Sequence, residues 1–266
     1  MDNTMDLTLL KTFFEISVEE KTEPALSVPA VDLLKAEAMG EALRHSGEML
    51  KATGVELPAS FLGMNFFNLI ASKQLVLGLY NRMLDLPLDN LTFHIVDHGD
   101  HIHGGFRIHE LRWKEASAVD REAWLAGEWT SYFQTVMNPM LDSVAWSAGV
   151  KPDLIWNQFA GQMRFCLDYM EETMGNPEIM ERFQRDYELL LRLAPEVFNR
   201  KRNPFEFKPR YLDSPYSPGK KLIMRSSCCM YDKRENGVKC YSCPRLLPAE
   251  REEMKTKIES AAAAKV

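Results

Sequence analysis

The sequence predicts an α+β protein, mainly helical, with a small antiparallel sheet and a cysteine motif carried on C-terminal loops. Three observations carry this reading. Residues 31–193 show apolar side chains at helical intervals between recognisable start and stop signals. Residues 91–113 are instead rich in β-branched and aromatic side chains. From Phe198 to Ser227 prolines replace the helical pattern, and four of the five cysteines fall between Cys228 and Cys243.

Val31 to Thr53 carries Leu33, Leu34, Met39, Leu43, Met49 and Leu50 at near-helical spacing, and Gly54 with Pro58 supplies the stop. A second helix is predicted over Ala59–Leu84. Its most apolar part, Phe61 to Tyr80, contains Asn65, Asn68, Ser72, Lys73 and Gln74, too many polar groups for a lipid-facing span, so it reads as a buried core helix. Leu91–Val96 and Phe106–Trp113 read as two strands, with the turn between them in Gly99–Gly105. Asp120 can cap a helix running to Ala148, with Gly149 as its end. Pro152-Asp153 starts another that reaches Met174, and Pro177–Leu193 forms one more. Asn203-Pro204, Lys208-Pro209, Ser214-Pro215 and Pro218-Gly219 mark a connector, and a charged helix that frays over Ala261–Ala264 follows Pro248. The resulting division is a body over residues 1–198, a basic connector over 199–227, and a cysteine segment with its helix over 228–266.

With 266 residues the chain can bury a substantial core. Its net charge of −6 argues against general nucleic-acid binding, which needs a basic surface. The sequence opens with Asp2 and Asp6, and Lys11 interrupts the only early apolar run, so no targeting or membrane-spanning element is predicted and the expected location is cytoplasmic.

Cys228, Cys229, Cys240 and Cys243 form a C-C-x10-C-x2-C arrangement. In a reducing compartment, clustered thiols suggest metal ligation before disulfides. Four thiolates suit one zinc ion or an iron-sulfur cluster. Only Cys240 and Cys243 make a zinc-type knuckle, whereas the adjacent Cys228 and Cys229 diverge and fit two separate metal atoms more easily than one. The spacing therefore favours a 2Fe-2S cluster over zinc, and a vicinal disulfide at Cys228-Cys229 is the remaining alternative.

Met224-Arg225-Ser226-Ser227-Cys228-Cys229-Met230-Tyr231, then Gly237, then Cys240-Tyr241-Ser242-Cys243-Pro244 resembles the C-terminal signature of the FhuF-like ferric-siderophore reductases. Leu84–Asn90 and Leu154–Asn157 extend a looser likeness over residues 60–246. The resemblance implies that Cys228, Cys229, Cys240 and Cys243 bind a 2Fe-2S cluster. It also implies an oxidoreductase that passes one electron to a ferric siderophore, releasing Fe(II). No Gly-x-Gly-x-x-Gly follows a predicted strand, so the expected electron donor is external: a ferredoxin, a flavodoxin or a reductase. The alternatives are a zinc-stabilised binding module without redox activity, and an iron-sulfur carrier or sensor that does not act on siderophores.

Two further groups are candidate substrate contacts. The connector holds Arg200, Lys201, Arg202, Lys208, Arg210, Lys220, Lys221 and Arg225 against only Glu206 and Asp213. Lys220, Lys221 and Arg225 lie nearest the cysteines and suit an anionic complex or an acidic donor, the alternative being a solvated linker. Five of the six histidines fall at His94, His98, His101, His103 and His109. They read as polar loop residues, as siderophore contacts through His98 and His101, or as a mononuclear metal site. Cys166 and the tryptophans Trp124, Trp129, Trp146 and Trp156 read as core residues.

Overall fold

The structure, a computed structural model, describes residues 5–21 and 23–263, so Asp2 and Ala264 lie outside the described residues. The helices are α1 (Thr8–Phe14), α2 (Ala36–Met49), α3 (Glu56–Tyr80), α4 (Arg121–Tyr132), α5 (Asn138–Ala148), α6 (Asp153–Trp156), α7 (Phe159–Thr173), α8 (Pro177–Arg192) and α9 (Pro248–Ala263). The strands are β1 (Ile16–Ser17), β2 (Leu26–Pro29), β3 (Arg82–Leu84), β4 (Leu91–Asp97), β5 (Ile102–Ile108), β6 (Trp113–Glu115), β7 (Tyr211–Asp213) and β8 (Lys221–Ile223). The protein is α+β and mainly helical, as the sequence predicts.

Helix α3 is the axis of the body. It is buried on nearly every side and packs against α2, α5, α6, α7, α8 and β5. Its polar residues are not solvated: Gln74 Nε2 donates to the Phe183 carbonyl at 3.2 Å, and Lys73 Nζ donates to the Leu84 carbonyl and lies 4.3 Å from the Tyr132 ring centre. The helix stops at Asn81, in the left-handed region at φ 59°, and Arg82–Leu84 turns away as β3 instead of continuing the helix.

Four strands form the main sheet in the order β1-β5-β4-β2, antiparallel except for the β1–β5 pair, which is parallel. The turn between β4 and β5 is tighter than the sequence suggested, because His98 N–H already donates to the His101 carbonyl at 3.0 Å. Gly104 and Gly105 lie within β5, not in the turn. A Cβ at Gly105 would sit 2.0 Å from the Glu15 carbonyl oxygen, and one at Gly104 would sit 2.7 Å from the Asn65 side chain. Glycine is needed there for close approach of a neighbour. Strand β5 ends at Ile108, and Trp113 belongs to β6, paired with β3.

Two helices expected as continuous are broken. The run from Asp120 to Ala148 passes through a π turn at Phe133–Met137, just ahead of Pro139, whose ring and missing N–H do not fit a regular interior turn. The run from Asp153 is broken between α6 and α7, where the C-terminal segment docks. Trp129 and Trp156 are buried, but Trp146 is 75% exposed, because α5 buries Met140, Leu141, Val144, Ala145 and Ala148 on its other side.

The connector is packed, not a loose tether. Phe205 is fully buried, with ring centres 5.8 Å from both Phe133 and Phe198. Asn203 Nδ2 donates to the carbonyls of Leu190 and Leu193 at 2.7 and 3.0 Å, closing the end of α8. Further on, β7 and β8 form an antiparallel hairpin that presents Lys220 and Lys221. Among the described residues, no helix is long and apolar enough to cross a membrane.

Candidate functional site

The cysteine segment is held to the body by hydroxyls. Ser226 Oγ donates to the Asn157 carbonyl at 2.7 Å and accepts from Gly161 N–H at 3.0 Å. Asn157 and Gly161 are four residues apart, so the hydroxyl occupies the place of one helical hydrogen bond and separates α6 from α7. Gly161 makes room for it: a Cβ there would lie 2.6 Å from Ser226 Oγ. Three residues on, Ser60 Oγ of α3 donates to the Cys229 carbonyl at 2.8 Å and accepts from Gln158 Nε2 at 3.0 Å. The loop between the cysteine pairs is tied to the end of α2 by Thr53 N–H to the Lys233 carbonyl and Glu235 N–H to the Lys51 carbonyl.

The knuckle is fixed from the other side. Cys243 N–H donates to the Cys240 carbonyl at 3.0 Å. Arg251 on α9 donates to the carbonyls of Tyr241, Cys243 and Leu246, and Arg225 N–H donates to the Ser242 carbonyl at 3.0 Å. Cys228, Cys243 and Leu246 form a small apolar cluster of their own, packed by Met230 and Met254.

All five cysteines are free thiols, which leaves no vicinal disulfide at Cys228-Cys229. The four of the motif converge as two pairs. Cys228 and Cys243 are buried, with Sγ atoms 3.6 Å apart. Cys229 and Cys240 are hydrogen-bonded to each other at the rim, where Cys240 is exposed. The adjacent Cys228 and Cys229 thus face inward and outward, as their chain geometry requires.

The electrostatics separate the members of the rim pair. The hydrogen bond from Cys229 holds the Cys240 thiol well below its usual range, assisted by Ser242 and the Arg225 guanidinium. Cys229, the donor of that bond and partly buried, is pushed up. Burial also raises Cys243. Met230 N–H donates to Cys228 Sγ at 3.4 Å, an interaction that persists on a thiolate.

This donor set fits a 2Fe-2S cluster. Two thiol pairs match two metal atoms, one pair each, while backbone N–H and guanidinium donors offset the charge of four thiolates. Cys228 with Cys243, and Cys229 with Cys240, would hold it.

Beside the rim pair lies a cleft of about 840 Å³ between α7 and the β7–β8 hairpin. Lys220, Lys221 and Arg225 all line it, together with Ser226, Ser227 and Ser242 of the cysteine segment. His98 and His101 do not, since they sit at the tip of the β4–β5 hairpin. The facing wall, on α7, carries Arg164, Asp168, Glu171 and Glu172. Arg164 pairs with Asp168 at 2.5 Å and Glu171 at 3.5 Å, and Tyr211 OH donates to Asp168 at 3.3 Å. The cleft therefore has one basic wall and one net acidic wall. Ser60, Gln158 and Arg251 carry no motif signal in the sequence, and only the fold brings them to the site.

Residues 225–245 match the family described as FhuF 2Fe-2S C-terminal domain. No curated protein matches the chain. The match and the paired thiols agree: residues 225–245 are similar to the FhuF 2Fe-2S C-terminal domain, their four cysteines fit the C-C-x10-C-x2-C motif, and both point to a 2Fe-2S cluster as the cofactor.

Proposed function

We propose that the protein is a ferric-siderophore reductase, acting in the cytoplasm on complexes delivered to the cleft beside Cys229 and Cys240. The family match supports the iron-siderophore assignment in general terms. The observation that carries the specific reading is the continuity of that cleft with the cysteine segment through Arg225, Ser226, Ser227 and Ser242. A cleft of about 840 Å³ is in the size range of bulky small-molecule sites.

The bound cluster supplies one electron at a time. The chain's own residues bring the acceptor to it. Lys220, Lys221 and Arg225 attract an anionic complex and hold it against the segment that carries the exposed Cys240. Lys221 is already paired with Asp213 at 2.5 Å and Arg225 faces Cys240, so Lys220 carries most of the uncompensated charge. Arg164 on the opposite wall is neutralised by Asp168 and Glu171 and orders that wall more than it attracts anions. The siderophore's hard oxygen donors bind Fe(III) far more tightly than Fe(II), so addition of one electron to the substrate iron loosens it. An external carrier, a ferredoxin, a flavodoxin or a reductase, would restore the electron.

Protein purified anaerobically, reduced with dithionite and freed of excess reductant should be reoxidised by a ferric siderophore while an Fe(II) chelator traps about one iron per chain, as expected for a one-electron centre. Reduced protein that stays reduced, with no Fe(II) trapped, would leave an electron carrier or sensor in its place. With an anionic complex at low salt, the Lys220→Glu/Lys221→Glu variant should react several-fold more slowly, a difference that fades as salt is added. An unchanged rate would remove the hairpin lysines from substrate recognition.

A further inference from the structure

Three histidines that take no part in the cleft meet at the tip of the β4–β5 hairpin. The donor nitrogens of His98, His101 and His103 all lie within 4.8 Å of one another, and their ring centres are 4.7 to 5.4 Å apart. The backbone enforces this meeting. His98 and His101 flank the turn, joined by the hydrogen bond from His98 N–H to the His101 carbonyl. His103, two residues further along β5, falls on the same face as His101. Gly99 adopts φ 87°, and its N–H donates to Asp97 Oδ1 at 2.8 Å, which fixes the turn itself.

We propose that His98, His101 and His103 bind a borderline divalent transition-metal ion, such as zinc(II), through three imidazole nitrogens.

The chemistry of the set selects the class of ion. Three imidazoles suit zinc, copper, nickel, cobalt or ferrous iron, whereas magnesium and calcium require oxygen donors. The carboxylate of Asp100 accepts from His101 Nδ1 at 2.5 Å, which leaves the lone pair of His101 on Nε2 as the available donor and supplies the carboxylate support usual behind a metal-bound histidine. Metal–nitrogen bonds of about 2.0–2.1 Å put tetrahedral ligands roughly 3.4 Å apart, so the rings need to close by about an ångström. All three side chains are exposed. Three protein ligands leave coordination positions for water or an external donor.

The experiment uses untagged, cluster-replete protein, so that the cysteines are already occupied, and titrates it with zinc(II) while the cluster's visible spectrum is followed. The expected result is about one zinc per chain, an unchanged cluster spectrum, and a zinc K-edge signature of imidazole nitrogen. A variant with His98, His101 and His103 all changed to Ala should lose that zinc. His101→Gln should lose most of it, and Asp100→Asn should weaken binding by about 10–100-fold. The proposal is overturned if the parent takes up no zinc, if the triple variant binds as the parent does, or if the zinc shows sulfur ligation with loss of the cluster spectrum.

Discussion

Arg225 stands beside both rim cysteines, hydrogen-bonded to Cys240 and within electrostatic reach of Cys229. A fixed positive charge there favours the more negative, reduced state of a bound cluster. Arg225→Gln should therefore lower the midpoint potential by on the order of 50–100 mV, the scale expected for one charge a few ångströms away in a partly screened site. A change below about 20 mV in a redox titration would show that solvent, not Arg225, sets the local field. Lys73 makes a different residue-scale prediction. Burial lowers its pKa to about 7, against 10.5 in an unfolded chain. Between those values the unfolded state binds the extra proton, so stability rises with pH from about 7 to about 10. Lys73→Met should flatten that rise and raise stability near pH 7, read from denaturant unfolding of the two proteins across the window. Parallel pH curves for the two proteins would sink the assignment. Lys73 was visible in the sequence only as a polar interruption in an apolar run. Its burial depends on Tyr132 and Leu84, which the sequence alone does not bring to it.

At the scale of elements, the four-cysteine motif was legible because its spacing is local, and so were α8 and α9, whereas the helix expected over Val31–Thr53 is a 3-10 helix at Ala30–Leu34, an extended Lys35 and then α2 at Ala36–Met49. The breaks were not legible. Pro139 marks one of them, but the π turn that accommodates it begins six residues earlier. The α6–α7 break depends on Ser226, 65 residues away from Gly161, and no periodicity within residues 153–174 registers a partner so distant. Gly104 and Gly105 misled in the opposite sense, since they read as turn residues while serving close packing within a strand. The joint gives its own prediction. Ser226→Ala leaves Gly161 N–H and the Asn157 carbonyl without their shared partner and should cost about 1–3 kcal/mol locally. The measurement is cluster loss to an iron chelator, which should be several-fold faster than in the parent. Equal rates would mean that the joint does not hold the cysteine segment.

At the scale of the whole molecule, the described residues form two cores of unequal size. One runs through the body and takes in Phe205 of the connector, and the other consists of Cys228, Cys243 and Leu246 with Met230 and Met254. The second is too small to order its surroundings by apolar burial alone, so metal ligation should contribute much of its folding energy. Apo protein should keep the helical circular dichroism of the body while residues 225–247 become open to limited proteolysis. Equal protease resistance with and without the cluster would show that the hydroxyl and arginine ties are sufficient. The packing of the connector could not be read from the sequence, because Asn203 and Phe205 sit in a proline-rich stretch with no periodic pattern to mark them as buried. Helix α7 links the two regions. One face of it walls the cleft through Phe165, Asp168 and Tyr169, and its first turn is stitched to the cysteine segment by a single serine hydroxyl. Occupation of the cleft and the seating of the cysteine segment therefore share one helix turn, because Gly161 and Ser226 both line the cleft and are bonded to each other.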